Sequence, residues 1–240
     1  MKTEKNSKEM TLRLKLNTKT LKFLRDGNYN LTIYKGVKSS NESISSTVWC
    51  SVSAKKLLEN NTFTWSNEFQ AFISNKSVAS GIKIKASTAR HIDLGDKFTI
   101  NDGTVKVTYD GTENKILTVN DGHSFTTGLS VRAPGSNQEL YRPIFVVTMP
   151  GRSSLTITPK EKLLVAFTTS SSKKLSMPVS EIHTAAATIE YFDEIDSHEI
   201  SYDFDSGIWE GIDTNDDTEN SRWFRFLRRG VHHLNRVLNG

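Results

Sequence analysis

Cysteine is nearly missing from this chain: its 240 residues hold one, Cys50. A lone cysteine cannot close an intrachain disulfide, so no disulfide framework holds the fold, and a cysteine-rich zinc cage is excluded as well. Its setting, TVWCSV, reads as the middle of a strand, which points to a buried, inert thiol. Proline is also scarce, at five residues, and no break rich in Pro, Gly or Ser divides the body. The loop at 132–138 (RAPGSNQ) is the best candidate for an internal connection. No apolar run approaches the ~18 residues that a membrane-crossing helix needs. The N-terminus, MKTEKNSKEM, is charged and lacks the apolar core of a secretory signal. The expected compartment is therefore the cytosol of the producing cell, with leaderless release as the other route.

Catalytic signatures are missing too. There is no G-x-S-x-G elbow, no G-x-G-x-x-G after a strand and no phosphate-binding G-x-x-x-x-G-K-[ST]. The six histidines are His91, His123, His183, His198, His232 and His233, and no two stand four apart as in a helical zinc site. His91 and His123 lie near turns with acids close by, which keeps a hydrolase of unrecognised class as a third reading. The first reading is not an enzyme, and no cofactor is expected. Nucleic-acid binding is disfavoured, because the lysine-rich strands carry few aromatics to stack on bases and a dense acidic segment opposes them.

What the chain does have is a period of two. In TLRLKLN, Leu12, Leu14 and Leu16 share one face against Arg13 and Lys15; NLTIYKG and SGIKIKAS repeat the pattern. Such alternation means half-buried, mainly antiparallel strands. Asp-Gly pairs at 102–103, 110–111 and 121–122 predict a meander of three hairpins across 97–131. KEKLLVAFTT is more uniformly apolar and predicts a central strand covered on both faces, or one bridging two layers. SAKKLLENN has room for a turn or two of helix. The expected fold is all-β: an antiparallel β-sandwich, built as two packed sheets or two similar β halves, with one C-terminal amphipathic α-helix. Residues 1–212 form the body and 213–240 an acidic loop and the helix.

Charge is segregated along the chain. Residues 1–189 carry a net charge of +11, residues 190–219 carry twelve Asp and Glu and no Lys or Arg, and residues 220–240 carry five Arg and no acid. The acidic segment interleaves its carboxylates with Tyr191, Phe192, Ile195, Ile200, Tyr202, Phe204, Ile208 and Trp209, which predicts one or two strands and then a loop from about Gly211. Beyond it, Trp223, Phe226, Leu227, Gly230, Val231, Leu234, Val237 and Leu238 fall on one stripe at the helical period, which predicts a helix over 221–238. Asn220, Ser221 or Thr218 suits its N-cap, and Asp216, Asp217 and Glu219 suit the positive end of its dipole.

A helix of this length needs a surface to bury its stripe. Its own β body is the first candidate. An anionic membrane, a protein partner or a second copy of the chain is the other kind. Trp223, Phe224, Phe226, Leu227, Val231 and Leu234 with Arg225, Arg228 and Arg229 make up the basic, aromatic face that suits an anionic lipid surface. The leading functional expectation is a non-enzymatic interaction protein with a toxin-like or assembly role. A carbohydrate-binding, lectin-like protein is the alternative. It rests on Trp65 and Trp209, which stand beside Asn and Asp in NNTFTWSNE and DSGIWEGID, although core packing is the first reading of both. No metal site is expected; Asp213, Asn215 and Asp217 offer only a weak calcium arrangement, since the Gly and Glu of a helix–loop–helix calcium loop are missing.

Overall fold

A computed structural model describes residues 8–40, 45–79, 81–112, 114–135, 140–169, 176–179, 181–182, 186–191, 195–212 and 232–233. The chain starts with β1 (Glu9–Leu16), α1 (Thr18–Asp26), β2 (Tyr29–Ser39), β3 (Ser45–Thr47) and β4 (Cys50–Ser53). A single 3-10 turn, Ala54–Lys56, leads to β5 (Asn60–Ser66), β6 (Phe69–Ser74), β7 (Thr88–Ile92), β8 (Asp96–Asn101) and β9 (Thr104–Tyr109). Then come β10 (Ile116–Asn120), β11 (Phe125–Arg132), β12 (Tyr141–Met149) and β13 (Ser153–Thr169). The late strands are β14 (Pro178–Val179), β15 (Glu181–Ile182), β16 (Ala186–Glu190), β17 (Ser197–Asp203), β18 (Ile208–Ile212) and β19 (His232–His233).

The all-β class holds, in three main sheets and one two-stranded ladder, β15-β19. One runs β18-β17-β1-β5, a second runs β4-β2-β13-β10-β8-β9 with β16 also on β13, and a third runs β14-β3-β12-β11-β6-β7. Each sheet mixes early and late strands, so the described chain does not divide into two β halves. One contiguous core takes Leu12 and Leu14 from the first sheet, Leu31, Ile33 and Val165 from the second, and Val131 and Phe145 from the third. The pairings are antiparallel except for β1–β17 and β8–β10. KEKLLVAFTT lies in β13, whose residues 163–168 are all buried. This strand is long enough to hold β10 and then β16 along one edge while β2 lines the other.

The meander expectation is corrected. Asp102-Gly103 does turn the β8–β9 hairpin, with positive φ at both residues, 46° and 82°. Asp110-Gly111 and Asp121-Gly122 do not close hairpins. The first leads to β10, which lies parallel to β8, and the second leads to β11 in another sheet. Gly122 serves close approach instead: a Cβ there would fall 2.6 Å from the Asp102 backbone nitrogen, and one at Gly151 would fall 2.2 Å from the Gly122 carbonyl oxygen. The loop at 132–138, taken as a connection between halves, joins β11 to its antiparallel neighbour β12 in the same sheet.

The helix α1 was not expected. Asn17 caps it by accepting from the Thr20 backbone N–H at 2.7 Å, and Thr20, Leu21 and Leu24 are its buried face. Three inward positions give too short a stripe to stand out after the alternation of β1. The acidic strands are present as β17 and β18. Two carboxylates of this hairpin pair with the body: Glu199 of β17 with Lys15 at 2.7 Å, and Asp205 of the turn that follows with Lys19 at 2.5 Å. The helix expected over 221–238 lies outside the described residues except at His232 and His233. There the chain runs as the short strand β19, paired with Glu181 and Ile182.

Candidate functional site

The two tryptophans considered for sugar stacking are corrected to core residues. Trp65 is 4% exposed and Trp209 is 1% exposed. Trp65 sits edge-on between Trp49 and Tyr191, and Trp209 packs against Phe167 and Tyr202, so neither offers a ring to a ligand. Trp223, Phe224, Arg225, Phe226, Leu227, Arg228, Arg229, Val231 and Leu234 lie outside the described residues, as do Asp213, Asn215 and Asp217. Among the described residues, no three His, Cys, Asp or Glu side chains converge as a metal site would require.

The most unusual chemistry lies where the sheets meet. In β2, Leu31, Ile33, Lys35 and Val37 occupy alternate positions, so a lysine stands on the apolar register. Lys35 is 2% exposed. Opposite it, β13 bulges: Lys160 pairs with Gly36 and Leu163 with Lys35, leaving Glu161 and Lys162 unpaired in the ladder. A bulge re-aims side chains, and here it brings Glu161 Oε2 to 3.6 Å from Lys35 Nζ. The ammonium also donates to Asn67 Oδ1 at 2.9 Å, and Asn67 Nδ2 donates to Glu161 Oε1 at 2.5 Å. The indole rings of Trp49 and Trp65 stand 5.8 and 5.9 Å from Nζ, within cation–π range.

Burial lowers the Lys35 pKa below 10.5, with Glu161 opposing that shift. A desolvated amine is the chemistry of carbonyl-attacking lysines, but Lys35 is sealed by Asn67, Glu161 and two indoles. The geometry makes it a tie between sheets. Asn67 belongs to the short β5–β6 link, and through it β2, β13 and β6 are drawn together. The signal in the sequence was the lysine in NLTIYKGV at a position where alternation calls for an apolar residue.

The next residue, Glu68, turns the other way and organises a surface network. Its Oε1 accepts from Arg132 at 3.0 Å and Ser66 at 2.8 Å, and its Oε2 accepts from Tyr141 at 3.0 Å. Partial burial pushes the Glu68 carboxyl up, but the Ser66, Tyr141 and Arg132 contacts outweigh it and hold the pKa below 4.5. With the Tyr141 hydroxyl hydrogen committed to Glu68, the 3.5 Å approach of His91 Nδ1 makes that nitrogen the donor to Tyr141. In the neutral ring, His91 Nε2 then accepts from Gln70 at 3.3 Å. Among the described residues, the His91 ring nitrogens thus meet Tyr141 and Gln70. His123 approaches Asp102 at 3.8 Å on the surface. Cys50 is buried, and burial pushes its thiol up to about 11, so it stays protonated and unreactive at neutral pH.

Compared with family models, with curated proteins and with solved structures, the chain finds no match in any of the three.

Proposed function

We propose that this chain is a non-enzymatic interaction protein, a β body whose arginine-rich C-terminal segment engages an anionic membrane surface. The observation that carries this reading is the tail's composition: five Arg and no acid over residues 220–240, with Trp223, Phe226, Leu227, Val231 and Leu234 at helical spacing. Two features of the body support it. Glu199 and Asp205 of the acidic segment pair with Lys15 and Lys19 of the body. The described link from tail to body is a ladder of two residues per strand, β15 with β19, and so short a pairing has little stability of its own.

Vesicle co-sedimentation of the full chain tests the proposal. Each Arg near an anionic leaflet contributes about 1 kcal/mol, so the Arg225→Glu/Arg228→Glu/Arg229→Glu variant should bind at least about a hundredfold more weakly than the wild type. Wild-type binding should need anionic lipid and should weaken as salt is raised. Equal behaviour of the two proteins on anionic vesicles would sink the proposal. Salt-insensitive self-association of both would instead make the tail an assembly element.

A further inference from the structure

With one cysteine, this chain cannot tie its sheets together through an intrachain disulfide. The Lys35 cluster holds the groups that another covalent tie requires. Lys35 Nζ lies 2.9 Å from Asn67 Oδ1, and the amide carbon stands one C=O bond, about 1.2 Å, behind that oxygen. Small rotations about the lysine's side-chain bonds bring Nζ to the ~3–3.5 Å from which an amine attacks a carbonyl. Lys35 is 2% exposed, so bulk water neither solvates the amine nor competes for the carbonyl. Burial favours the neutral amine over the ammonium, although Glu161 opposes that shift. Glu161 meets both reactants: its Oε1 accepts from Asn67 Nδ2 at 2.5 Å, and its Oε2 lies 3.6 Å from Lys35 Nζ. This Oε2 is buried and, among the described residues, accepts no hydrogen bond, which leaves it open to a proton. The bulge in β13 is what aims Glu161 at the other two groups.

We infer that Lys35 and Asn67 become joined by an isopeptide bond, formed once in the folded chain with Glu161 as the proton carrier. Nζ first gives a proton to Glu161 Oε2 and regains its lone pair. The amine attacks Asn67 Cγ, an N–C bond forms, and the carbonyl π pair moves to Oδ1. That pair then returns, and the Cγ–Nδ2 bond breaks. Nδ2, already hydrogen-bonded to the Glu161 carboxyl group, takes up the proton held there and a second one from the former ammonium, and leaves as an ammonium ion. Glu161 ends as the carboxylate it began as, and no oxidant, reductant or further reactant enters. The bond would join all three main sheets, because Lys35 lies in β2 of the second while Asn67 links β5 of the first to β6 of the third. It would constrain the unfolded chain as a disulfide does, and reductants would leave it intact. The Lys35–Glu161 ion pair is the reactant state, so unfolding measurements on that pair read chains of full mass. None of this depends on the membrane reading of the tail.

Intact-mass spectrometry of the full chain tests the inference, on wild type, Lys35→Met and Glu161→Gln, each kept under folding conditions until its mass is constant. Loss of one ammonia should leave the wild type about 17 Da lighter than its sequence mass. Its tryptic digest should contain one branched peptide that unites Lys35 with Asn67 and is uncut after Lys35. Lys35→Met lacks the nucleophile and Glu161→Gln lacks the proton carrier, so each should keep the full mass of its sequence. An asparagine that cyclises on its own backbone sheds the same mass, and the branched peptide separates the two events. A wild type that stays at full mass overturns the inference whatever the variants do. A loss that maps to another asparagine overturns it too, as does the same branched peptide from Glu161→Gln.

Discussion

Among the described residues, Glu161 is the carboxylate that faces the buried Lys35 ammonium, and replacing it by Gln removes that charge while keeping the side chain's shape. At 3.6 Å and an effective dielectric of about 20, the Lys35–Glu161 attraction is about 4–5 kcal/mol. The Glu161 side chain is 37% exposed, so water screens part of it. A loss of about 2–3 kcal/mol at pH 7 is expected for Glu161→Gln, because Lys35 keeps its desolvation cost and loses its counter-charge. Lys35→Met removes the buried charge itself. Its flexible side chain fits between the two indoles, Glu161 Oε1 keeps the bond from Asn67, and the costs are the donor lost to Asn67 Oδ1 and the ammonium lost beside the buried Glu161 Oε2. That variant should fall within about 1–1.5 kcal/mol of wild type. In the Lys35→Met background, Glu161→Gln should then cost almost nothing, a coupling of about 2–3 kcal/mol.

Urea unfolding followed by tryptophan fluorescence measures all four proteins, and pH adds a second axis. The folded pKa of Lys35 lies below its ordinary 10.5, so the unfolded state binds more protons between the folded value and 10.5. This residue's contribution to stability therefore rises with pH through that window. In Glu161→Gln the opposing effect of Glu161 is gone, the window widens downward, and the variant's deficit should shrink as pH approaches 10. A Lys35→Met loss larger than the Glu161→Gln loss would refute the reasoning, since the pair would then be a net source of stability rather than a compensated charge. A Glu161→Gln deficit that stays constant up to pH 10 would refute it as well.

The same unfolding assay reaches three other sites. Cys50 titrates at about 11 in the fold against an ordinary 9.0, so the wild type should lose up to about 2–3 kcal/mol as pH rises between those values. Cys50→Ala, compared with itself across that range, should lack this part of the slope. Gly151→Ala sets a Cβ 2.2 Å from the Gly122 carbonyl oxygen and should cost about 1–3 kcal/mol or more by overpacking backbone against backbone; a neutral outcome would mean that the three turns meeting there do not touch in solution. Asn17→Ala removes the cap of α1 and should cost about 1 kcal/mol, read as a shift of the urea midpoint at constant slope.

The sequence by itself determined what depends on near neighbours along the chain. Alternation of Leu12, Leu14 and Leu16 sets a strand with one buried face whatever its partner, and the unbroken apolar run in β13 sets a strand covered on both sides. Asp102-Gly103 sets a hairpin because positive φ at both residues is a local demand. Partnership is a different matter. The same Asp-Gly signal at 110–111 and 121–122 gives no hairpin, since β10 finds β8 and β11 finds another sheet through packing. The parallel pairing of β1 with β17 joins segments some 180 residues apart. Trp65 and Trp209 have loop-like neighbours in sequence and core neighbours in space, whereas Tyr109 ends an ordinary strand and is left standing on two glycines. Lys35 shows the division within one residue. Its place on the apolar register was legible in the sequence, but only the β13 bulge and the β5–β6 link supply the carboxylate and the amide that make a buried ammonium tolerable. A buried charge is decided by what surrounds it in three dimensions, and alternation along one strand carries no record of that.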